Sequence, residues 1–330
     1  QAVSNEGSIS AGARQLGLSY RHVWGELKRW ETELGGELLI WEKGQSARLS
    51  EFGSKLMWAE RQAQARLAPQ IEALRAELER SFAVAFDDAS HIVTLYASHD
   101  DALSQLREAA ITQSSGLHLD IRFTGSVDAI RALNEGRCVM AGFHTLEHMG
   151  KNTLTERIYK PLLKPGLHKI IGFASRTQGL MVAPSNPLKV RGLADLTQPR
   201  AGKLIHFTNR ALGTGTRVVL DELLAAGMLN ASDITGYEHT EPSHAAVAHA
   251  VLSGQADAGL GIEAAAVQAG LGFVPLAKEN YHLVCLKSAL EQPGIVALRA
   301  LLQTTQWQTQ LVSIPGYAAA QSGDVLSMRQ

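Results

Sequence analysis

Four short segments carry hydroxyl, imidazole and glycine groups where an extended run should end and a helix begin. They are Ser98, His99 and Asp100; Thr124, Gly125 and Ser126; Gly213, Thr214, Gly215, Thr216 and Arg217; and Pro242, Ser243 and His244. Hydroxyls donate hydrogen bonds, and glycine lets a backbone come close to a ligand. Helix N-termini add unpaired N–H groups and the positive end of the helix dipole. Ligands of open α/β sheets bind at the carboxyl ends of strands. Several such ends facing one cleft would hold a small anion without a metal. Each segment also has a plain structural use, because Ser98, Ser126, Thr216 and Ser243 all suit helix caps. Arg217 fits a ligand counter-charge and an ordinary surface position equally well. His144 follows the apolar run CVMAGF and is expected at a strand end, where it either contacts the ligand, the favoured reading, or satisfies a backbone carbonyl. The sequence has no nucleophile elbow, P-loop or zinc-protease motif. The segments therefore read as a binding site and not as an enzyme's.

A second set of residues is spaced for DNA. In ISAGARQLGLSYRHVWGELKRW, Ala13 is small where two helices would approach closely, and Gly17 falls in the turn. Val23 would pack the second helix on the first, with Leu16, Leu18, Leu27 and Trp30 supplying the other apolar contacts. Ser19 is a good N-cap. A recognition helix reads bases from its first turns. That makes Ser19, Tyr20, Arg21 and His22 the candidates for DNA contact, with Lys28 as a backbone contact. GELLIWEKGQSARLSEFGSKL then reads as strand, turn, strand and helix: a wing, with Lys43 and Arg48 placed to meet phosphates.

These groups need three zones to position them. Residues 1–50 form the winged helix-turn-helix. Residues 51–83 form one long helical pattern with an apolar stripe through Leu56, Leu67, Ile71, Leu74 and Leu78, which requires a partner surface. Pro69 predicts a kink or break near residue 68. Residues 84–330 alternate short apolar runs with helical patterns, a βαβ rhythm that implies largely parallel sheets. Two such units, joined by crossings near residues 170–183 and 272–286, make two lobes around a cleft. Lobe 1 takes residues 84–172 and 284–330, and lobe 2 takes 173–283. Residues 292–312 read as a helical return to lobe 1.

Composition agrees with a globular protein of more than one core: 330 residues, 45 % apolar and 19 % charged. The net charge of −1 supplies no global basic field, so any DNA contact is local. Cys138 and Cys285 lie far apart and outside metal-site spacing, which fits a reducing cytoplasm and excludes a disulfide framework. No apolar run of about 20 residues is present to span a membrane. The chain starts without an initiator Met, so its beginning is expected to be processed or trimmed.

The segments GSISAGARQLGLSYRHVWGELKRWETELGGELL and RLSEFGSKL resemble the DNA-binding domain of LysR-type and molybdate-responsive regulators over about the first 60 residues. That resemblance implies a preceding first helix, of which residues 1–6 supply the end, and a dimerisation role for the helix that follows. Between residues 90 and 320, ASHDDAL, FTGSVDAIRALNEG, MAGFHT, TNRALGTGTRVVLDELL, EPSHAAVAHAVLSGQADAGLG and IPGY resemble the molybdate-type periplasmic-binding-like domain. The resemblance implies an α/β, type II two-lobed effector domain that binds molybdate or tungstate. It places Ser98, His99, Thr124, Gly125, Ser126, His144, Asn209, Arg210, Thr214, Gly215, Thr216, Arg217, Ser243 and His244 at or near the cleft.

Ala211, His282 and the stretch after Thr145 depart from that pattern, so formate, sulfate or an organic acid stays open as effector. The expected protein is a cytoplasmic, DNA-binding homodimer or homotetramer that needs no cofactor besides its anion. The rivals from other classes are an oxyanion-binding or buffering protein that does not touch DNA, and an enzyme on the same two-lobed fold, against which the missing nucleophile and cofactor motifs argue.

Overall fold

The computed structural model describes residues 1–40, 47–86, 91–114, 116–147 and 153–327. Contacts divide the chain into two compact units, Gln1–Gln64 and Ala65–Gln330. In the first, α1 (Ala2–Glu6), α2 (Ile9–Gln15) and α3 (Tyr20–Leu34) precede an antiparallel ribbon of β1 (Leu39–Ile40) and β2 (Arg48–Leu49). Gly17 holds the α2–α3 turn at φ 67°, a conformation that strains residues with a Cβ. Ser19 caps α3, its hydroxyl accepting from His22 N at 3.2 Å. Val3, Ile9, Ala13, Val23, Leu39 and Ala47 make the core, with Leu27 and Leu49 packed against it. Leu16, Leu18 and Trp30 differ from expectation and stand about half exposed. So small a unit has little interior, and α1 with the ribbon completes it around Val23 and Leu27, leaving those three outside.

The helix α4 (Glu51–Phe86) starts in the first unit and ends in the second. Of the kink or break expected near residue 68, the break does not occur: the helix runs through Pro69. A proline inside a helix removes the N–H that would reach the carbonyl four residues earlier, here Ala65. The Ser243 hydroxyl donates to that carbonyl at 3.3 Å and takes the place of the missing donor.

The second unit continues with β3 (His91–Ala97), α5 (Asp101–Gln113), β4 (Leu117–Phe123), α6 (Ser126–Asn134), β5 (Met140–Leu146), α7 (Leu154–Tyr159) and β6 (His168–Val182). Next come β7 (Phe207–Arg210), α8 (Gly215–Ala226), β8 (Thr240–Glu241), α9 (His244–Leu252), β9 (Ala258–Ile262), α10 (Glu263–Gln268) and β10 (Gly272–Leu286). The chain closes with α11 (Pro293–Gln303), α12 (Thr305–Val312), β11 (Tyr317–Ala318) and β12 (Val325–Leu326). The strands form one ten-stranded sheet in the order β4-β3-β5-β10-β6-β9-β7-β8, with β11 and β12 added on β6.

The β3, β4 and β5 strands pair in parallel, as do β7, β8 and β9. The centre departs from the parallel pattern. β6 and β10 pair antiparallel with each other and with β5 and β9. The chain passes between the lobes once in each direction, and two long strands running oppositely can pair only this way. The helical stretch expected over residues 292–312 is two helices, divided at Thr304, whose hydroxyl caps α12 at Trp307 N. α11 lies on β3 and α5, within lobe 1.

Candidate anion-binding site

Within the second unit, the segments around Gly125 and Gly213 meet, and His144 lies against Gly215. A Cβ on Gly125 would come 2.6 Å from the Gly213 carbonyl oxygen, and one on Gly215 would strike the His144 ring. Val127 N also approaches the Gly213 carbonyl oxygen at 3.4 Å. Glycine at 125 and 215 is what allows β5 and α6 of lobe 1 to touch the start of α8 in lobe 2.

Capping falls to neighbours of three of the four expected residues. Asp100, not Ser98, caps α5 by accepting from Ala102 N at 2.7 Å. Gly125 sits at the α6 cap, with Ser126 as the first helical residue. Thr214, not Thr216, caps α8, and Thr216 instead accepts from Gln178 Nε2 at 3.1 Å. Ser243 does cap α9, accepting from Ala246 N at 3.1 Å. The hydroxyls of Ser98 and Ser126 are thus released from capping. Both are buried, and neither makes a hydrogen bond of normal geometry, although the Tyr159 hydroxyl lies beside Ser126.

Behind these segments, β6 and β10 place charges inside the sheet. Arg176 bonds to both Asp100 and Glu279 and donates to Nδ1 of His144 at 3.2 Å. Tyr317 donates to Asp100 at 2.6 Å, and Gln178 donates to Glu279 at 2.9 Å. One cation therefore serves two carboxylates. Burial opposes the charge on Arg176, but Glu279, Tyr317 and Asp100 outweigh it and hold its pKa well above the usual value. Burial raises the Glu279 pKa, and Asp100 pushes it the same way, against the pull of Arg176 and Gln178. Burial, with the cations Arg176 and Arg210 nearby, depresses His144 well below the usual imidazole range. His244 is depressed by burial first, then by Arg210 and Arg176.

Arg210 is the unusual member. It is 2 % exposed, and one nitrogen donates to the Pro242 carbonyl at 3.1 Å. Its Nε and Nη1 have no partner, and no carboxylate lies within ion-pair distance among the described residues. Burial, then repulsion from Arg176, lowers its pKa to about 10. Ser98, Ser126, His144 Nε2 and His244 Nδ1 share its condition: buried polar atoms without a partner.

The remaining expected residues are engaged locally. Asn209 donates to the Tyr237 carbonyl and accepts from Arg210 N. Arg217 lies 4.1 Å over the Tyr237 ring and bonds its hydroxyl and Asp221. His99 Nε2 lies 3.5 Å from Glu72 of α4. Thr124 is half-buried, its N–H on the Ala97 carbonyl. In the first unit Ser19, Tyr20, Arg21, His22 and Lys28 are exposed, and Lys28 pairs with Glu31 at 2.6 Å. Arg48 is exposed on β2, and Lys43 lies outside the described residues.

Arg176, Gln178, Glu279 and Tyr317 were not among the expected site residues. The signal was a charge within an apolar strand run, Arg176 in IIGFASRTQGLMV and Glu279 in FVPLAKENYHLV. A charge at such a position must be paired.

Residues 107–303 match the PBP superfamily domain, and residues 1–54 match the bacterial regulatory helix-turn-helix protein of the lysR family. The uncharacterized protein YvgK of Bacillus subtilis is 31 % identical over 226 residues, which is 68 % of this chain and 70 % of that protein. The molybdate-binding protein ModA of Mycobacterium tuberculosis is 29 % identical over 178 residues, 52 % of this chain and 60 % of ModA. Among solved structures, a mutant OxyR of Corynebacterium glutamicum with hydrogen peroxide bound superposes with a TM-score of 0.50 at 16 % identity, covering 99 % of this chain and 94 % of that one. That likeness bears on fold alone. No described helix is long and apolar enough to cross a membrane. The chain belongs to the PBP superfamily, with a LysR-family helix-turn-helix ahead of its PBP-like domain.

Proposed function

We propose that the effector half encloses a small tetrahedral oxyanion, molybdate or tungstate, between Ser98, Ser126 and His144 of lobe 1 and Arg210, Thr216 and His244 of lobe 2. Arg210 carries this reading. Burying a cation without a partner is expensive, and a bound anion is the partner that removes the penalty. The unpaired hydroxyls and imidazole N–H supply donors around it, and the N-termini of α6, α8 and α9 add a favourable dipole. The likeness to a molybdate-binding protein supports the choice of oxyanion.

Binding is read as the signal to the DNA-binding half. Tyr20, Arg21 and His22, exposed on the first turn of α3, would face the major groove, with Ser19, Lys28, Lys43 and Arg48 on the backbone. The exposed stripe Leu67, Ile71, Leu74 and Leu78 on α4 suits pairing with a second copy. Two free buried cysteines agree with a reducing cytoplasm.

Calorimetric titration of the full chain with molybdate, tungstate, sulfate, phosphate and formate tests the ligand. Micromolar binding of molybdate or tungstate, with formate inert, is expected. Binding of formate alone, or of none, overturns the assignment.

A further inference from the structure

The structure assigns a second role to residues 65–79 of α4, that of a strap that bridges the two effector lobes and holds the cleft shut, with Arg66 and Glu72 as its positioning residues. Three features, all within the second unit, carry this reading.

On lobe 2, the Ala65 carbonyl accepts from Ser243, and Arg66 pairs through two nitrogens with Glu241, at 2.7 and 2.9 Å. Glu241, Pro242, Ser243 and His244 are consecutive. The Pro242 carbonyl holds Arg210, and Ser243 starts α9. The helix therefore grips the turn that carries His244 and accepts a hydrogen bond from Arg210.

On lobe 1, six residues or about 9 Å further along the helix, the Glu72 carboxylate contacts His99 at 3.5 Å and accepts from Ser104 at 2.5 Å. The Glu72 carbonyl accepts from Arg107 at 3.2 Å. Arg75 pairs with Glu108 at 3.0 Å. His99 lies between Ser98, another unpaired donor, and Asp100, which Arg176 holds.

Pro69 lies between the two grips and explains why the helix can serve both. It leaves the Ala65 carbonyl without its helical donor, so the helix itself presents an acceptor that only lobe 2 fills. A helix is stiff over two turns, so the Arg66 and Glu72 contacts can coexist only at one separation of the lobes. Opening the cleft must break one set. The strap thus couples the state of the cleft to the helix that begins in the DNA-binding unit.

Hydrogen exchange on the full chain tests this, comparing wild type with Arg66→Ala/Glu72→Ala in the absence of added anion. The amides of residues 125–129 and 213–218, at the lobe contact and outside the strap, are expected to exchange at least tenfold faster in the double variant. Core amides of β3 and β4 should be unchanged, which separates cleft opening from general loosening. Arg66→Lys, which keeps the charge, should restore most of the protection at the cleft when Glu72 is intact. Unchanged exchange at 125–129 and 213–218, or equal acceleration in β3 and β4, overturns the strap. A parallel titration with sodium molybdate separates the two readings. Cleft opening in a protein that ignores molybdate sinks the ligand and keeps the strap; molybdate binding with no cleft response to the double variant does the reverse.

Discussion

Arg176 Nη2 lies 3.2 Å from Nδ1 of His144, and that contact decides which nitrogen of the imidazole bears the proton. A guanidinium only donates, so Nδ1 must accept. His144 is held neutral by burial and by the cations around it, which leaves the proton on Nε2. Nε2 is buried without a partner and so offers a donor toward the lobe contact. A charged residue of the sheet thereby sets the polarity of the site in front of it.

Arg210→Met separates binding from stability. Two charge-assisted hydrogen bonds at about 1.5–3 kcal/mol each imply a loss of oxyanion affinity of about 100-fold or more. Replacing an unpaired buried charge by an apolar chain is neutral or stabilising. Urea denaturation of the anion-free variant should therefore give a midpoint equal to or above wild type, while calorimetry shows binding lost. A marked drop in the midpoint would mean that Arg210 is a structural group.

Two serines at corresponding helix starts should behave oppositely. Ser243→Ala removes the α9 cap and the donor to Ala65, and should destabilise the protein by about 1 kcal/mol or more. Ser126→Ala removes no hydrogen bond of normal geometry and should leave the unliganded protein within about 0.5 kcal/mol of wild type. It should weaken oxyanion binding about tenfold, the worth of one hydrogen bond. Paired denaturation and titration curves check both.

Gly125→Ala tests the fit of the lobes. The added Cβ would lie 2.6 Å from the Gly213 carbonyl oxygen and 3.2 Å from Thr214 N, both backbone atoms that cannot turn aside. The lobes must separate, so oxyanion affinity should fall while far-ultraviolet circular dichroism stays the same.

Stability should decline on the acid side of neutrality. Burial holds His282 at about 4, and burial with nearby cations keeps His144 and His244 well below 6.5. The unfolded chain therefore takes up these protons first as the pH drops below about 6.5. The contribution is complete above that value and is lost progressively toward pH 4. Denaturation midpoints at pH 7.5, 6 and 5 should fall in order, with a shallower slope for His282→Asn.

Arg21 and Lys28 should differ on DNA. Arg21 is exposed on the first turn of α3, whereas the Lys28 ammonium is already paired with Glu31, which also accepts from Leu38 N at 2.9 Å. With a random duplex in fluorescence polarisation, Arg21→Ala should lower affinity and reduce the salt slope by about one. Lys28→Ala should change both less.

Local rules made the helix-turn-helix legible. Gly17 at the turn, Ser19 at the cap and Val23 in the core are requirements that a few adjacent residues satisfy by themselves. The βα rhythm and the two crossing strands were legible for the same reason, since periodicity records which faces are buried. The segments that meet at the cleft were visible as hydroxyl- and glycine-rich strand ends. Which hydroxyl caps a helix and which stays unpaired was not, because Asp100 and Thr214 compete with Ser98 and Thr216 for the same N–H groups and differ only in placement. The fate of Pro69 depended on Ser243, 174 positions away, which supplies the donor that the proline lacks. Arg176, Asp100 and Glu279 come from three distant strand and loop positions, and a residue's own neighbours in sequence do not say which opposite charge it will find. Sequence alone determined the elements and the kinds of group they carry. Tertiary structure decided the pairing of those groups, because pairing depends on distances between segments that local propensity does not encode.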